Sequence, residues 1–427
     1  MIMRMRNAGI ATLLIVSVPV RAQSYDPALT PHVSEAGVTV EEEWHENGQI
    51  AKRAFRRDGE IQGLYQEWNP DGSLRLVAEW RDGKGEGVWM YFNPSGFVSE
   101  RSYATRDRWH GLSEGWHADG TKAFEGRFDM GFRDGPFRYW DEAGNLIGPG
   151  AQLLPTEASP RPVMEGFWPE GFNPWDVTFS TDLQTVFVGT GDNEGNNRRI
   201  LMRTWTREGW SEPEPAPFGD LTAAEGTPVM SHDGAYLYFS SDRHAKAEPD
   251  NNRRDLYRVS RQSGWTDVER VTNTPAYGEV SLTTAQGNLG VLWTDRRLDG
   301  EARIGLYEVS LDDDVAGLAI VRPLDDLHPN DSSGEAYPAL SPDGSMLLFS
   351  NFDLAGQGTA EDLYLSMRVN GEWSPPTFLP APFSSNGNDS AVQFIDAGKV
   401  IIFNQSNPTA SYFFSVTVED LLALDDN

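Results

Sequence analysis

The sequence predicts an all-β chain in two parts, an array of β-hairpin repeats followed by a β-propeller of four-stranded blades. Three observations predict it. Five aromatic residues, Trp44, Trp68, Phe92, Trp116 and Trp140, stand 24 positions apart, each followed four residues later by glycine: Gly48, Gly72, Gly96, Gly120 and Gly144. A second glycine register, Gly63, Gly87, Gly111 and Gly135, keeps the same step. Beyond residue 162 a longer unit recurs, with starts 51 to 57 residues apart. Repeats of such periods mark stacked supersecondary units rather than one globule.

Residues 1–22 read as a secretory leader. Arg4 and Arg6 form a positive start, Ile10 to Val20 is apolar, and Val18-Pro19-Val20-Arg21-Ala22 offers a cleavage site after Ala22. The apolar run is too short for a permanent membrane anchor. This predicts export to the periplasm or beyond, with no integral membrane segment after cleavage.

Residues 41–146 carry the 24-residue repeat. In one unit, Glu67-Trp68-Asn69-Pro70-Asp71-Gly72-Ser73-Leu74 contains strong turn chemistry, because proline presets φ and glycine accepts φ > 0. The segments between turns alternate apolar and polar residues, as half-buried strands do. Each unit therefore reads as a hairpin, and stacking is expected to bury the phased aromatics as a core. The aromatic-x-x-x-Gly step, with Gly63-Leu64-Tyr65, Gly87-Val88-Trp89 and Gly135-Pro136-Phe137, resembles the bacterial variant of the MORN repeat. That resemblance covers about a quarter of the chain and implies scaffolding on proteins or lipids.

Residues 147–162, rich in Gly, Pro and Ser, read as a linker. Residues 163–424 hold the longer repeat. Ser231-His232-Asp233-Gly234 and Ser341-Pro342-Asp343-Gly344 each lead into an apolar run. Weaker copies begin at Ser180, Thr284 and Ile395. Downstream lie Asp255-Leu256-Tyr257, Gly305-Leu306-Tyr307 and Asp362-Leu363-Tyr364, and tryptophan marks a later turn at Trp210, Trp265 and Trp373. Each unit reads as strand, Asp-Gly turn, strand, long loop, strand, turn, strand: one propeller blade. Five units are visible, and Arg161 to Phe167 is expected to supply the missing last strand and close the ring. A sixth blade would require a degenerate unit in the linker. The Ser-Pro-Asp-Gly and Asp-Leu-Tyr elements resemble the PD40 repeats of TolB-like propellers over more than half the chain.

Composition narrows the partners. Lys and Arg total 35 against 64 Asp and Glu, a net charge of −29. Such a chain repels nucleic acid and anionic lipid headgroups, leaving cations, basic partners or neutral ligands such as sugars. There is no cysteine, which excludes disulfides and a lipid anchor on a cleavage-site cysteine.

Acidic residues precede the turn motif in every unit: Asp176, Glu225, Glu279, Glu335 and Asp389. Three share one offset, while strand alternation puts Glu279 on the other face unless a bulge intervenes. Such carboxylates suit a cation, sugar hydroxyls or a basic peptide, or else they hydrogen-bond within and between blades. The second-to-third strand loops add Asp242, Arg243 and His244, and Asp295, Arg296 and Arg297. Paired Asp and Arg there serve either as inter-blade ion pairs or as a fork for a ligand carboxylate. No strand-to-helix Gly-x-Ser-x-Gly elbow, His-Glu-x-x-His motif or phosphate loop is read. Asp312-Asp313-Asp314 and Asn330 to Gly334 lack EF-hand spacing.

The expected function is a non-enzymatic, exported binding or scaffold protein that takes a protein or glycan partner in the cell envelope. The expected ligand-binding residues are Glu225, Glu335, Asp389, Asp242, Arg243 and Arg296. No catalytic residue and no cofactor is expected, and metal binding is left open. The alternative is a propeller-type carbohydrate-active enzyme, a glycoside hydrolase or polysaccharide lyase, with carboxylates from different blades at the channel mouth.

Overall fold

The computed structural model describes residues 37–133, 135, 137–153, 161–164, 167–168, 174–191, 198–206, 209–248, 253–273, 278–295, 305–312, 317–327, 334–352, 361–407 and 410–423. The predicted leader, Arg296, Arg297 and the Asn330 to Ser333 run lie outside them. The chain divides into two compact units, Met1–Ile147 and Gly148–Asn427.

The first unit is one antiparallel sheet of twelve strands, and its longer strands follow each other in chain order from Val38–Trp44 to Leu146–Ile147. The two turns of the repeat have different chemistry. At the first, Gly72 holds φ +84° and donates to the Asn69 carbonyl at 2.9 Å, while the Asp71 carboxylate accepts the Ser73 amide at 2.9 Å. At the second, Asp82 and Gly83 both take positive φ, 49° and 72°, the two-residue turn whose twist matches the flanking strands.

The sheet is a single layer, and this corrects the expectation that the phased aromatics form a core. Only Phe92 is buried; Trp68, Trp116 and Trp140 are half-buried, and Trp44 is 60% exposed. Among the described residues no second layer covers them, and Trp68 and Trp116 are capped by long cations. Arg53 lies over Trp68 at 5.7 Å, and Arg101 and Lys122 over Trp116 at 5.7 and 5.4 Å. The other face carries a ladder of rings, Tyr65, Trp80, Trp89 and Trp109, with centroids 6.1, 5.8 and 5.5 Å apart. Small residues lie beneath rings of this face. A Cβ on Gly115 would come within 2.1 Å of the Phe124 ring.

The second unit is a five-bladed propeller. The inner strands are Pro174–Phe179, Glu225–Met230, Glu279–Ala285, Gly334–Leu340 and Asn388–Ile395. Each packs against the next, and the last against the first. Closure follows the sequence expectation. Arg161–Val163 pairs antiparallel with Ser415–Phe413 as the outer strand of blade 5. Gln393 of blade 5 fastens the same join. Its side-chain amide accepts the Phe179 N–H at 2.8 Å and donates to the Phe179 carbonyl at 3.1 Å.

The Ser-x-Asp turn explains its own recurrence. In blade 4 the Ser341 hydroxyl donates to Asp343 at 2.6 Å and accepts the Met346 amide at 2.9 Å, and Asp343 also accepts the Ser345 amide at 3.0 Å. Ser231 with Asp233, and Ser180 with Asp182, repeat this in blades 2 and 1. The apolar residues that follow fill the space between blades: Phe187, Phe239, Phe349 and Phe403 are each 0% exposed.

Candidate functional site at the propeller mouth

Strand pairing assigns the acidic residues to one register. Glu225 faces Ser241, Glu279 faces Thr294, Glu335 faces Asn351 and Asp389 faces Gln405. A bulge between Glu279 and Ser281 brings Glu279 into line. In blade 1 the same register is held by Pro174 facing Thr190, and Asp176 lies two residues further in.

These four carboxylates do not form an open ring. All are 1% exposed or less, and each is turned onto its own blade or the loop leading into it. Glu225 accepts the Asp220 amide and the Ser241 hydroxyl, both at 3.2 Å, and pairs with Arg243. Glu279 accepts the Thr272 hydroxyl at 3.1 Å, Glu335 the Asn351 amide at 2.9 Å, and Asp389 the Ser385 amide at 2.6 Å. Asp242 accepts the Ala224 amide at 2.7 Å, just before the inner strand of blade 2. Of the expected ligand-binding residues, the structure thus joins Glu225 to Arg243, holds Glu335, Asp389 and Asp242 separately in backbone and side-chain hydrogen bonds, and leaves Arg296 outside the description.

A different constellation occupies the same end of the ring. The third strand of each blade starts at this end, and the residue standing before or at its first rung is positionally equivalent from blade to blade: Arg198 in blade 1, Arg254 in blade 2, Glu361 in blade 4 and Ser411 in blade 5. The Arg198 and Arg254 carbonyls accept the amides of Glu225 and Glu279 at 3.1 and 2.9 Å, so the next blade fixes both backbones. Asp176 of blade 1 and Tyr337 of blade 4, from the inner strands, complete the group. Tyr337 takes φ +48° in a bulge between Ala336 and Ala339, a conformation that re-aims a side chain and that a non-glycine residue adopts only when its surroundings impose it. Trp175 lies against the Arg198 guanidinium at 5.0 Å, and Trp293 packs on Tyr337 with centroids 4.9 Å apart.

Burial dominates the electrostatics of this group. Burial pushes the Asp176 carboxyl up to about 6, against the pull of the Thr227 amide, Arg198 and Arg254. Burial raises Glu361 to about 7, helped by the charges of Asp176 and Asp389. Burial also lowers Arg254, and Arg198 beside it adds like-charge repulsion. Tyr337 is raised well above its ordinary value by burial and by Asp176 and Glu361. Two polar atoms of the group are buried without a hydrogen-bond partner, Asp176 Oδ1 and Arg254 Nη1. Two carboxyl groups that change charge near neutrality, set among two guanidiniums and three rings, can move protons to and from a bound molecule.

Sequence reasoning placed Asp176 among the acidic residues but not among the expected binders, and it missed Arg198, Arg254, Tyr337 and Glu361. A signal for two of them was present. Arg254 and Glu361 each immediately precede an Asp-Leu-Tyr element. One string, Gly111-Leu112-Ser113-Glu114-Gly115, has the spacing of a nucleophile elbow, but it runs along a strand of the array. Ser113 is buried there and hydrogen-bonded to Ser102 at 2.7 Å, with no helix following. Among the described residues no group of three or more Asp, Glu or His side chains is placed to hold a metal ion.

No family model matches the chain, and no curated protein is similar to it. Solved structures are. An oligogalacturonate lyase from Vibrio parahaemolyticus shares 11% identity over 89% of this chain and 97% of its own, with a TM-score of 0.35. An oligogalacturonate lyase in complex with manganese shares 12% identity over 84% of each chain, with a TM-score of 0.34. A puromycin hydrolase shares 12% identity and a TM-score of 0.33, and this chain spans half its length. The class is that of β-propeller proteins. These similar structures are enzymes by name, and with that the expectation of a non-enzymatic envelope scaffold is corrected in favour of the enzymatic alternative. At such identities and TM-scores the likeness assigns no residue and no substrate.

Proposed function

We propose that the chain is a propeller-type carbohydrate-active enzyme whose acid–base pair is Glu361 and Asp176. The observation that carries this reading is that Glu361 of blade 4 and Asp176 of blade 1 lie at the same end of the ring, Asp176 close enough to raise Glu361 by its charge, and that burial raises both toward neutrality. Glu361, the more strongly raised, holds its proton and gives it to the glycosidic oxygen as the C–O bond breaks. Asp176, which Arg198 and Arg254 favour as the carboxylate, takes a proton from the attacking water, whose oxygen bonds to the sugar carbon. Trp175, Trp293 and Tyr337 supply the apolar faces on which sugar rings stack.

The finer assignments belong to the same reading. The Ser-Pro-Asp-Gly and Asp-Leu-Tyr elements support TolB-like PD40 blades, and the 24-residue step supports a MORN-like array. The Arg4 to Ala22 pattern supports export, which puts the site where cell-envelope or external glycans are met.

The test is a panel of oligosaccharides incubated with the full chain. New reducing ends are followed together with the ultraviolet absorbance of unsaturated products, which separates hydrolysis from elimination. Glu361→Gln and Asp176→Asn are expected to cut turnover at least a hundredfold while the fold persists. Turnover unchanged in both variants sinks the assignment.

A further inference from the structure

We infer that the first strand of the array, Val38–Trp44, is a strand-addition site for a basic, extended segment of a partner protein, whose Lys or Arg sits between Glu42 and Trp44. The inference concerns the array alone and does not rest on the chemistry proposed for the propeller.

The repeat supplies the comparison. Glu114 and Trp116 stand three periods of the 24-residue step after Glu42 and Trp44, in the same register. Inside the sheet, Glu114 lies between cations from both neighbouring strands. Arg101 of the preceding strand faces it across the pair and holds Oε2, and Lys122 of the following strand holds Oε1 at 2.5 Å. The same two cations cover Trp116 at 5.7 and 5.4 Å. Arg53 covers Trp68 in the same way, also from the preceding strand. At Glu42 and Trp44 half of this arrangement is present. Arg53, facing Glu42 from the following strand, donates from Nε to Oε1 at 2.8 Å. Among the described residues no strand pairs with the other side of Val38–Trp44, no cation holds Oε2 of Glu42, and none lies over Trp44, which is 60% exposed.

The outer edge of a strand with one neighbour presents a row of unpaired N–H and C=O groups, and an added strand pairs with them. Such a strand sets one residue opposite Glu42 and diagonal to Trp44, the place that Arg101 holds toward Glu114 and Trp116. A cation there gains a carboxylate and an indole face together. Glu41 and Glu43 are already matched by Arg56 and Lys52 of the next strand, so they do not bar an incoming strand. The nearby segments of this chain lack the cation. Val38–Trp44 has none, so two copies joined edge to edge would set glutamate against glutamate, and neither residues 23–37 nor Leu146–Ile147 at the far end of the sheet contain Lys or Arg. The cation therefore comes from a different protein, and the net charge of −29 favours the approach of a basic segment over an acidic one.

The experiment is fluorescence anisotropy of short labelled Val/Thr peptides carrying Arg, Gln or Glu at the centre, titrated with the full-length chain. The Arg peptide is expected to bind roughly tenfold more tightly than the Gln peptide, and the Glu peptide more weakly still. Trp44→Ala and Glu42→Gln change side chains on an edge strand and should leave the fold intact, and each should cut the Arg preference to about threefold or less. The Arg peptide with every backbone nitrogen methylated keeps its charge, loses its donors and should not bind. Equal binding of the Arg and Gln peptides, or no binding of any peptide, overturns the inference. An Arg preference unchanged in both variants also overturns it, since the attraction is then diffuse. Binding by the methylated peptide overturns strand addition. A dimer in sedimentation that Trp44→Ala dissolves assigns the edge to a second copy and overturns the partner proposed here.

Discussion

Glu361 keeps its proton to about pH 7 because it is buried and because Asp176 and Asp389 are charged nearby. That placement costs stability whenever the group is ionised. The folded chain holds a proton that the unfolded chain releases near its ordinary value of 4.5, so stability falls as pH rises between those two values. Glu361→Gln removes the penalty. At pH 8 the variant is expected to be more stable by up to about 3 kcal/mol, and at pH 4 to match the parent, as read by denaturant unfolding at the two pH values. A variant that loses stability at pH 8 would contradict the account of this group. Greater stability together with lost turnover is the pattern expected of a functional residue kept at a cost.

The strands and turns were largely legible in the sequence. The Ser-x-Asp turn could be read because its hydrogen bonds are local: hydroxyl, carboxylate and amide lie within five residues. Asp343→Ala removes one acceptor from three donors and should destabilise the propeller by about 1–2 kcal/mol, measurable by thermal or urea unfolding. Ring closure by Arg161–Val163 could also be read, since the last unit was one strand short. The bond between Gln393 and Phe179 could not, because the partners lie 214 residues apart. Gln393→Ala leaves an N–H and a carbonyl unpaired at the join and should cost roughly 2–4 kcal/mol. A loss below about 0.5 kcal/mol would mean the join is held by the outer strand alone. The mouth was the least legible part. Tyr337 and Asp176 are aimed by bulges, and bulges shift the alternation that sequence reading depends on. Burial turned Glu225, Glu335 and Asp389 inward, and spacing cannot report burial.

Across the whole molecule, the shifted carboxyl groups of the array are held low, whereas in the propeller the largest shifts are upward, at Asp176, Glu361 and Asp389, although Asp220 and Asp343 there are also held low. In the array, Lys122 and Arg101 hold Glu114 below its usual range although burial opposes them. The Ser73 hydroxyl and amide do the same for Asp71. Such groups add stability that is present above their unfolded values and lost as pH falls through the folded ones. In the propeller, Asp176 and Asp389 at about 6 and Glu361 at about 7 withdraw stability as pH rises from about 4 to 7. Scanning calorimetry is expected to show two transitions. On raising pH from 5 to 7.5 the propeller transition should move down while the array transition holds, and below pH 4 the array should fall first. A single transition moving as one at every pH would contradict the division.

The positional equivalence of Arg198, Arg254, Glu361 and Ser411 has a consequence for how such a molecule changes its chemistry. Rotational repetition gives the mouth a set of addresses, each written by one codon and each read by the same visitor. At Arg198 and Arg254, where the next blade pins the backbone, exchanging the residue is expected to alter a charge or a donor while leaving the blade in place. A duplicated blade therefore arrives with a copy of its parent's letter, and a single later exchange at that address changes the mouth on an unchanged frame.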